Sequence, residues 1–91
     1  MQSATAIKVR GRILIVDDDP VVRDSLGKWF DSEGYDVTLV ASGKEALERL
    51  AVRRWDVALL DIKMPGMDGI ELHERVHDAD PDLPVIMMTG Y

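Results

Sequence analysis

The 91-residue sequence contains no cysteine. That removes disulfides, thiolate metal ligands and thiol nucleophiles together. Long apolar runs are missing as well: none exceeds four residues, and the runs of that length are Ile13–Val16, Val57–Leu60 and Val85–Met88. A bilayer-spanning helix needs about 20 apolar residues and a signal-peptide core about 7–15, so neither is expected. Positive charge is in deficit, with 11 Lys and Arg against 17 Asp and Glu and a net charge of −6. Such a surface repels phosphate backbones, so direct nucleic-acid binding by this domain is not expected. The expectation is a single cytoplasmic domain with no membrane contact.

What is present has a clear order. Residues 1–11 show no periodicity and read as a partly mobile lead-in; residues 12–91 form the domain. The three short apolar runs suit strands buried on both faces, as in a parallel sheet. Tyr35 to Val40 alternates, as an edge strand does, with Asp36 and Thr38 facing away from Val37 and Leu39. Between the strands lie helical segments. Asp19-Pro20 reads as an N-cap followed by proline in the first turn. Val22, Leu26, Trp29 and Phe30 recur at helical spacing as packing residues, and Gly34 is placed to end that helix. Ser42-Gly43-Lys44-Glu45 reads as a capping box ahead of Ala46, Leu47 and Leu50. Ile70 to Ala79 forms a third helix with Leu72, Val76 and Ala79 on one side, and Asp80 to Pro84 breaks it. The order β-α-β-α-β-α-β implies an α/β fold, a three-layer, doubly wound parallel sheet with helices on both faces.

Ligands in such folds bind beyond the carboxyl ends of the strands, where strand order reverses. Two acidic segments fall there. The first strand ends in Asp17-Asp18-Asp19, and the third ends in Asp61. Carboxylates gathered at one rim repel, and a bound divalent cation relieves them; oxygen ligands with phosphate company suit Mg2+. A carboxylate beside such an ion is also a nucleophile toward phosphorus. Asp19 is better explained as a helix cap, because Pro20 follows it. Thr89, at the end of the fourth strand, offers a hydroxyl to the same rim, although threonine suits a strand in any case.

Ile13-Leu14-Ile15-Val16-Asp17-Asp18-Asp19-Pro20 and Leu60-Asp61-Ile62-Lys63-Met64-Pro65-Gly66-Met67-Asp68-Gly69 resemble the two signature segments of receiver domains of bacterial two-component response regulators. Val85 to Tyr91 resembles their fourth-strand segment, most like that of enhancer-binding transcriptional activators. The resemblance runs from about Arg12 to the last residue. It implies a flavodoxin-like fold and Asp61 as acceptor of a phosphoryl group from a histidine kinase. It implies Mg2+ held by Asp18 directly, by Asp17 largely through water, by Asp61 and by the backbone carbonyl of Lys63. Thr89 would contact the phosphoryl oxygens as the switch residue. The function implied is a conformational switch, not an enzyme, acting on an output domain that controls transcription and itself binds DNA.

Receivers of this family continue with a fourth helix, a lysine-bearing fifth strand and a fifth helix, and no segment here corresponds to them. None of Lys8, Lys28, Lys44 or Lys63 is placed like that lysine. The expectation is a fragment truncated after the fourth strand, weakly phosphorylated, and associating as a dimer or domain-swapped oligomer through the exposed fourth-strand edge. Two alternatives are a pseudo-receiver interaction module and a Mg2+-dependent phosphatase working through an aspartyl phosphate. Phosphatases of that kind carry a second aspartate two residues after the nucleophile, and that position is Lys63 here.

His73-Glu74-Arg75-Val76-His77 matches the helical zinc motif H-E-x-x-H. The two histidines flank a polar side with Glu71, Glu74 and Asp78, no third ligand is evident, and a solvated helix explains them better. Met64 and Met67 flank the loop after Asp61, where partner contact and loop packing remain open. Met87 and Met88 are expected in a buried strand.

Overall fold

The computed structural model describes residues 10–88. Seven elements follow in sequence: β1 (Arg12–Val16), α1 (Pro20–Ser32), β2 (Asp36–Val40), α2 (Gly43–Val52), β3 (Val57–Asp61), α3 (Gly69–Ala79) and β4 (Val85–Met88). The four strands are parallel and ordered β2-β1-β3-β4. Order reverses between β1 and β3, so the predicted switch point lies there. The lead-in falls outside the described residues except for Arg10 and Gly11; the Arg10 N–H donates to the Gly34 carbonyl at 3.0 Å.

The helices form where their capping chemistry dictates. Asp19 caps α1 by accepting from the Val21 N–H at 2.9 Å, with proline in the first turn. At its other end the Tyr35 N–H reaches back to the Phe30 carbonyl and the Gly34 N–H to the Asp31 carbonyl. This double closure requires a left-handed residue, and Gly34 supplies it at φ +96°. In α2 the Ser42 hydroxyl accepts from the Glu45 N–H at 3.2 Å. The returning Glu45 carboxylate takes the Ala41 N–H, one residue before the cap. Asp68 caps α3 through the Glu71 N–H at 2.9 Å.

Alternation along the strands divides the core into two layers. Leu14, Val16, Ala58 and Leu60 face α2 and α3 and pack with Ala46, Leu72 and Val76. Ile13, Ile15 and Leu59 face the other side, where Leu26 and Phe30 of α1 cover them with Val37. The three layers are thus complete over β1 and β3. Toward β4 the α1 side thins out: Ile86, level with Leu59, is 54% exposed.

Several side chains depart from the sequence expectation. Trp29 does not pack beneath α1; it is 57% exposed and rests edge-on against Phe30, ring centroids 4.9 Å apart. Only Phe30 of that pair reaches the core, because the two are one helical step apart and point about 100° from each other. Met87 and Met88 are half-buried, since β4 is an edge strand. Ala79 is exposed at the last turn of α3, while Leu72 and Val76 are fully buried. Leu39 is also partly exposed, although Val37 on the same side packs into the core.

Removing a fully buried side chain leaves a cavity, whereas trimming an exposed one does not. Leu72→Ala is therefore expected to lower the unfolding free energy by about 2–5 kcal/mol. Trp29→Ala should cost no more than about 1 kcal/mol. Urea titration followed by circular dichroism compares the two.

Candidate metal and phosphoryl site

The site is built from the carboxyl ends of the two central strands. β1 and β3 pair with Val16 opposite Leu60, so the next residues, Asp17 and Asp61, stand level on neighbouring strands. Both are acidic residues and both are buried, at 5% and 8% exposure. Asp18, one residue on, is exposed. Each of the three offers a carboxylate oxygen, and these oxygens lie within 4.8 Å of one another. The sequence reading of a converging acidic rim is met by these three residues. Asp19 stays outside the cluster as the cap of α1.

Each carboxylate is steadied differently. Asp17 Oδ1 accepts from the Asp19 N–H at 2.9 Å, and its backbone N–H donates to the Val40 carbonyl on β2. Asp61 Oδ1 accepts from the Lys63 N–H at 3.1 Å. Lys63 is therefore folded back onto the site through its main chain while its side chain is exposed. Beyond it the loop is clamped at both ends: the Ile62 N–H donates to the Met88 carbonyl, and the Gly69 N–H to the Ile62 carbonyl at 2.9 Å. Thr89, the expected hydroxyl, lies outside the described residues.

The β3–α3 loop shows why two of its residues are what they are. A Cβ on Gly69 would meet the Asp61 carbonyl oxygen and lie 2.6 Å from the Ile62 Cα. The start of α3 thus touches the backbone carrying Asp61, and only glycine fits. Met64 is buried in the larger core layer, and Met67 packs against it and against Gly43 at the start of α2. Both methionines serve loop packing; Met64 is buried, while Met67 remains partly exposed.

Three oxygen donors, two buried and one open to solvent, form a hard anionic pocket that could hold a metal, with room for water on its outer side. Among the described residues no other group of three metal-ligating side chains is assembled. His73 and His77 are both exposed on α3 with no third ligand gathered beside them, so the zinc motif is a feature of spacing alone. No described helix is long and apolar enough to cross a membrane.

The description of the response regulator receiver domain family matches residues 13–91, and the chain belongs to that family. Among curated relatives it is 45% identical over 80 residues to sporulation initiation phosphotransferase F of Bacillus subtilis, covering 88% of this chain and 64% of that protein. It is 42% identical over 79 residues to the response regulator MprA of Mycolicibacterium vanbaalenii, covering 87% of this chain and 34% of that one. The chain thus spans from about a third to just under two thirds of the curated relatives it matches. Of solved structures, a CheY-like receiver domain protein from Methanospirillum hungatei superposes with a TM-score of 0.87 at 42% identity, covering 92% of this chain and 66% of that one. The response regulator TrrA of Thermotoga maritima, in complex with Mg2+-BeF, superposes at 0.83 with 36% identity over 88% of this chain and 70% of that one. TrrA has also been solved in complex with the histidine kinase ThkA. The flavodoxin-like receiver fold expected from the sequence is the fold found.

The contact between Gly69 and the Asp61–Ile62 backbone gives a direct test of how the loop is held. Gly69→Ala is expected to destabilise the domain by about 1–3 kcal/mol through overpacking. Its amide NMR shifts should move most at Asp61 to Lys63, with α1 and β2 little affected.

Proposed function

We propose that this chain is the phosphoryl-accepting switch of a two-component pathway, with Asp61 as the acceptor. The observation that carries the reading is the meeting of Asp17, Asp18 and Asp61 at the switch point of the sheet. The donor is the phosphohistidine of a sensor kinase. One Asp61 carboxylate oxygen attacks phosphorus, the phosphorus–nitrogen bond breaks, and the imidazole leaves with the bonding pair. An acyl phosphate on Asp61 results. The Lys63 N–H fixes Asp61 Oδ1, so the attacking group is oriented before the donor arrives.

The pocket's donor set fits Mg2+, which when bound supplies compensation for the charge on the transferring phosphoryl group. Asp18 would bind it directly, Asp17 largely through water, and Asp61 and the Lys63 carbonyl would complete the protein ligands. Thr89 would contact the phosphoryl oxygens. The complexes of TrrA with Mg2+-BeF and with ThkA support both the ion and the kinase partner. Lys63 stands where a phosphatase would carry its second carboxylate. This favours a protein that holds the phosphoryl group as a signal and performs no catalytic turnover. The setting is cytoplasmic, and the signal passes to an output domain in a longer regulator, as the one-third coverage of MprA suggests, for control of transcription.

Incubation with acetyl phosphate and Mg2+ should add one phosphoryl group, read by intact mass. Asp61→Asn should abolish it, and labelling that persists in that variant would refute the assignment. The outer edge of β4 carries only Val85, Ile86, Met87 and Met88 and no charge to discourage pairing. A second copy is expected to associate there. Sedimentation velocity should show a dimer that grows with concentration, and a monomer throughout would rule this out.

A further inference from the structure

The acidic site draws two of its ligands from a short loop, and one half-buried cation is bonded to the start of that loop. Arg23 lies in α1 and is half-buried. Its Nη1 donates to the Asp17 carbonyl oxygen at 2.8 Å. Its backbone N–H donates to the Asp19 carbonyl at 2.9 Å. Asp17 and Asp19 are further joined by the bond from the Asp19 N–H to Asp17 Oδ1. Asp18 is thus the middle residue of a three-residue segment whose first carbonyl is bound by the Arg23 guanidinium and whose last is closed by the first main-chain bond of α1, which any residue but proline would make there. Asp18 is also the exposed member of the cluster, so packing does little to fix it.

We infer that Arg23 is the positioning residue for the divalent-cation site, acting by fixing the Asp17–Asp19 backbone so that Asp18 projects toward Asp61. This rests on the reading of the acidic cluster as a cation site. The planar guanidinium suits this task because its Nη1 donor is held in a fixed direction when it meets the Asp17 carbonyl. Groups that orient a metal ligand without touching the metal commonly matter about 10–100-fold in metal affinity.

The inference has an unusual sign, which makes it testable. Arg23 brings a positive charge close to a site for a positive ion. If charge were its only influence, removing it would tighten Mg2+ binding. If it positions the ligands, removing it weakens binding despite the lost repulsion.

Isothermal titration with MgCl2 on the unphosphorylated 91-residue chain separates these cases. Arg23→Met is expected to bind Mg2+ about tenfold more weakly than the parent. Arg23→Lys, which keeps a donor on a long stem, should recover part of the loss. Thermal melts without Mg2+ check that each variant is folded; should Arg23→Met fail to fold, Arg23→Gln makes the same comparison with a side chain too short to span to Asp17. Binding equal to or tighter than the parent in the folded variant overturns the positioning role. The parent and Asp18→Asn serve as references. A parent that binds no Mg2+ overturns the cation-site reading itself and this inference with it. A parent that binds while Asp18→Asn does not leaves that reading standing, whatever Arg23 does.

Discussion

The parallel pairing of β1 with β3 is the constraint on which the site depends. Its register sets Val16 against Leu60 and brings Asp17 and Asp61 level at the strand ends. Neighbouring strands run about 4.8 Å apart, and that spacing is what holds two buried carboxylates together against their repulsion. A slip of one residue would turn one of them to the opposite face of the sheet. The slip is prevented by the core, since Leu14, Val16, Ala58 and Leu60 on one side and Ile13, Ile15 and Leu59 on the other would all have to exchange faces. The energy that fixes the site is therefore hydrophobic burial, although the site itself is entirely polar.

Three consecutive aspartates illustrate how the backbone assigns chemistry to identical side chains. Asp17 is buried at the strand end, with its carboxylate turned to the Asp19 N–H. Asp18 is exposed and contributes to the cluster. Asp19 is spent on the first turn of α1. Their roles differ because a strand becomes a helix across three residues, and each residue takes a different direction in the transition.

Much of this was legible in the sequence, for physical reasons. Strands buried on both faces must be continuous apolar runs, so β1 and β3 were readable at their ends; β4 carries the same pattern, but its edge position leaves Ile86 exposed and its methionines half-buried. The caps were legible because Asp19-Pro20, Ser42 with Glu45, and Gly34 each satisfy a local backbone need. The acidic cluster was legible because strand ends in this topology converge. What was not legible depended on neighbours distant in sequence. Trp29 and Phe30 have the same hydrophobicity signal, yet only geometry across α1 and β2 selects which is buried. Gly69 could be read as shaping the loop after Asp61, but the contact with the Asp61–Ile62 backbone that excludes a side chain there appears only in the fold. Arg23 carries no local signal of its role, because its guanidinium meets the Asp17 carbonyl only once α1 folds back on the loop.

The misplaced tryptophan has an optical consequence. Trp55, 6% exposed, has its indole N–H bound to the Arg49 carbonyl at 3.3 Å and sits at the amino end of the sheet, far along the strands from the acidic rim. Trp29 stands in water on the outer surface of α1. The chain therefore carries two tryptophans of contrasting environment, a red-shifted and quenchable one on a helix surface and a shielded one in the core layer on the other face of the sheet. A molecule settling on α1 would shield the first from water and shift its emission while leaving the second unchanged, so this domain reports on contacts at that helix without any added label.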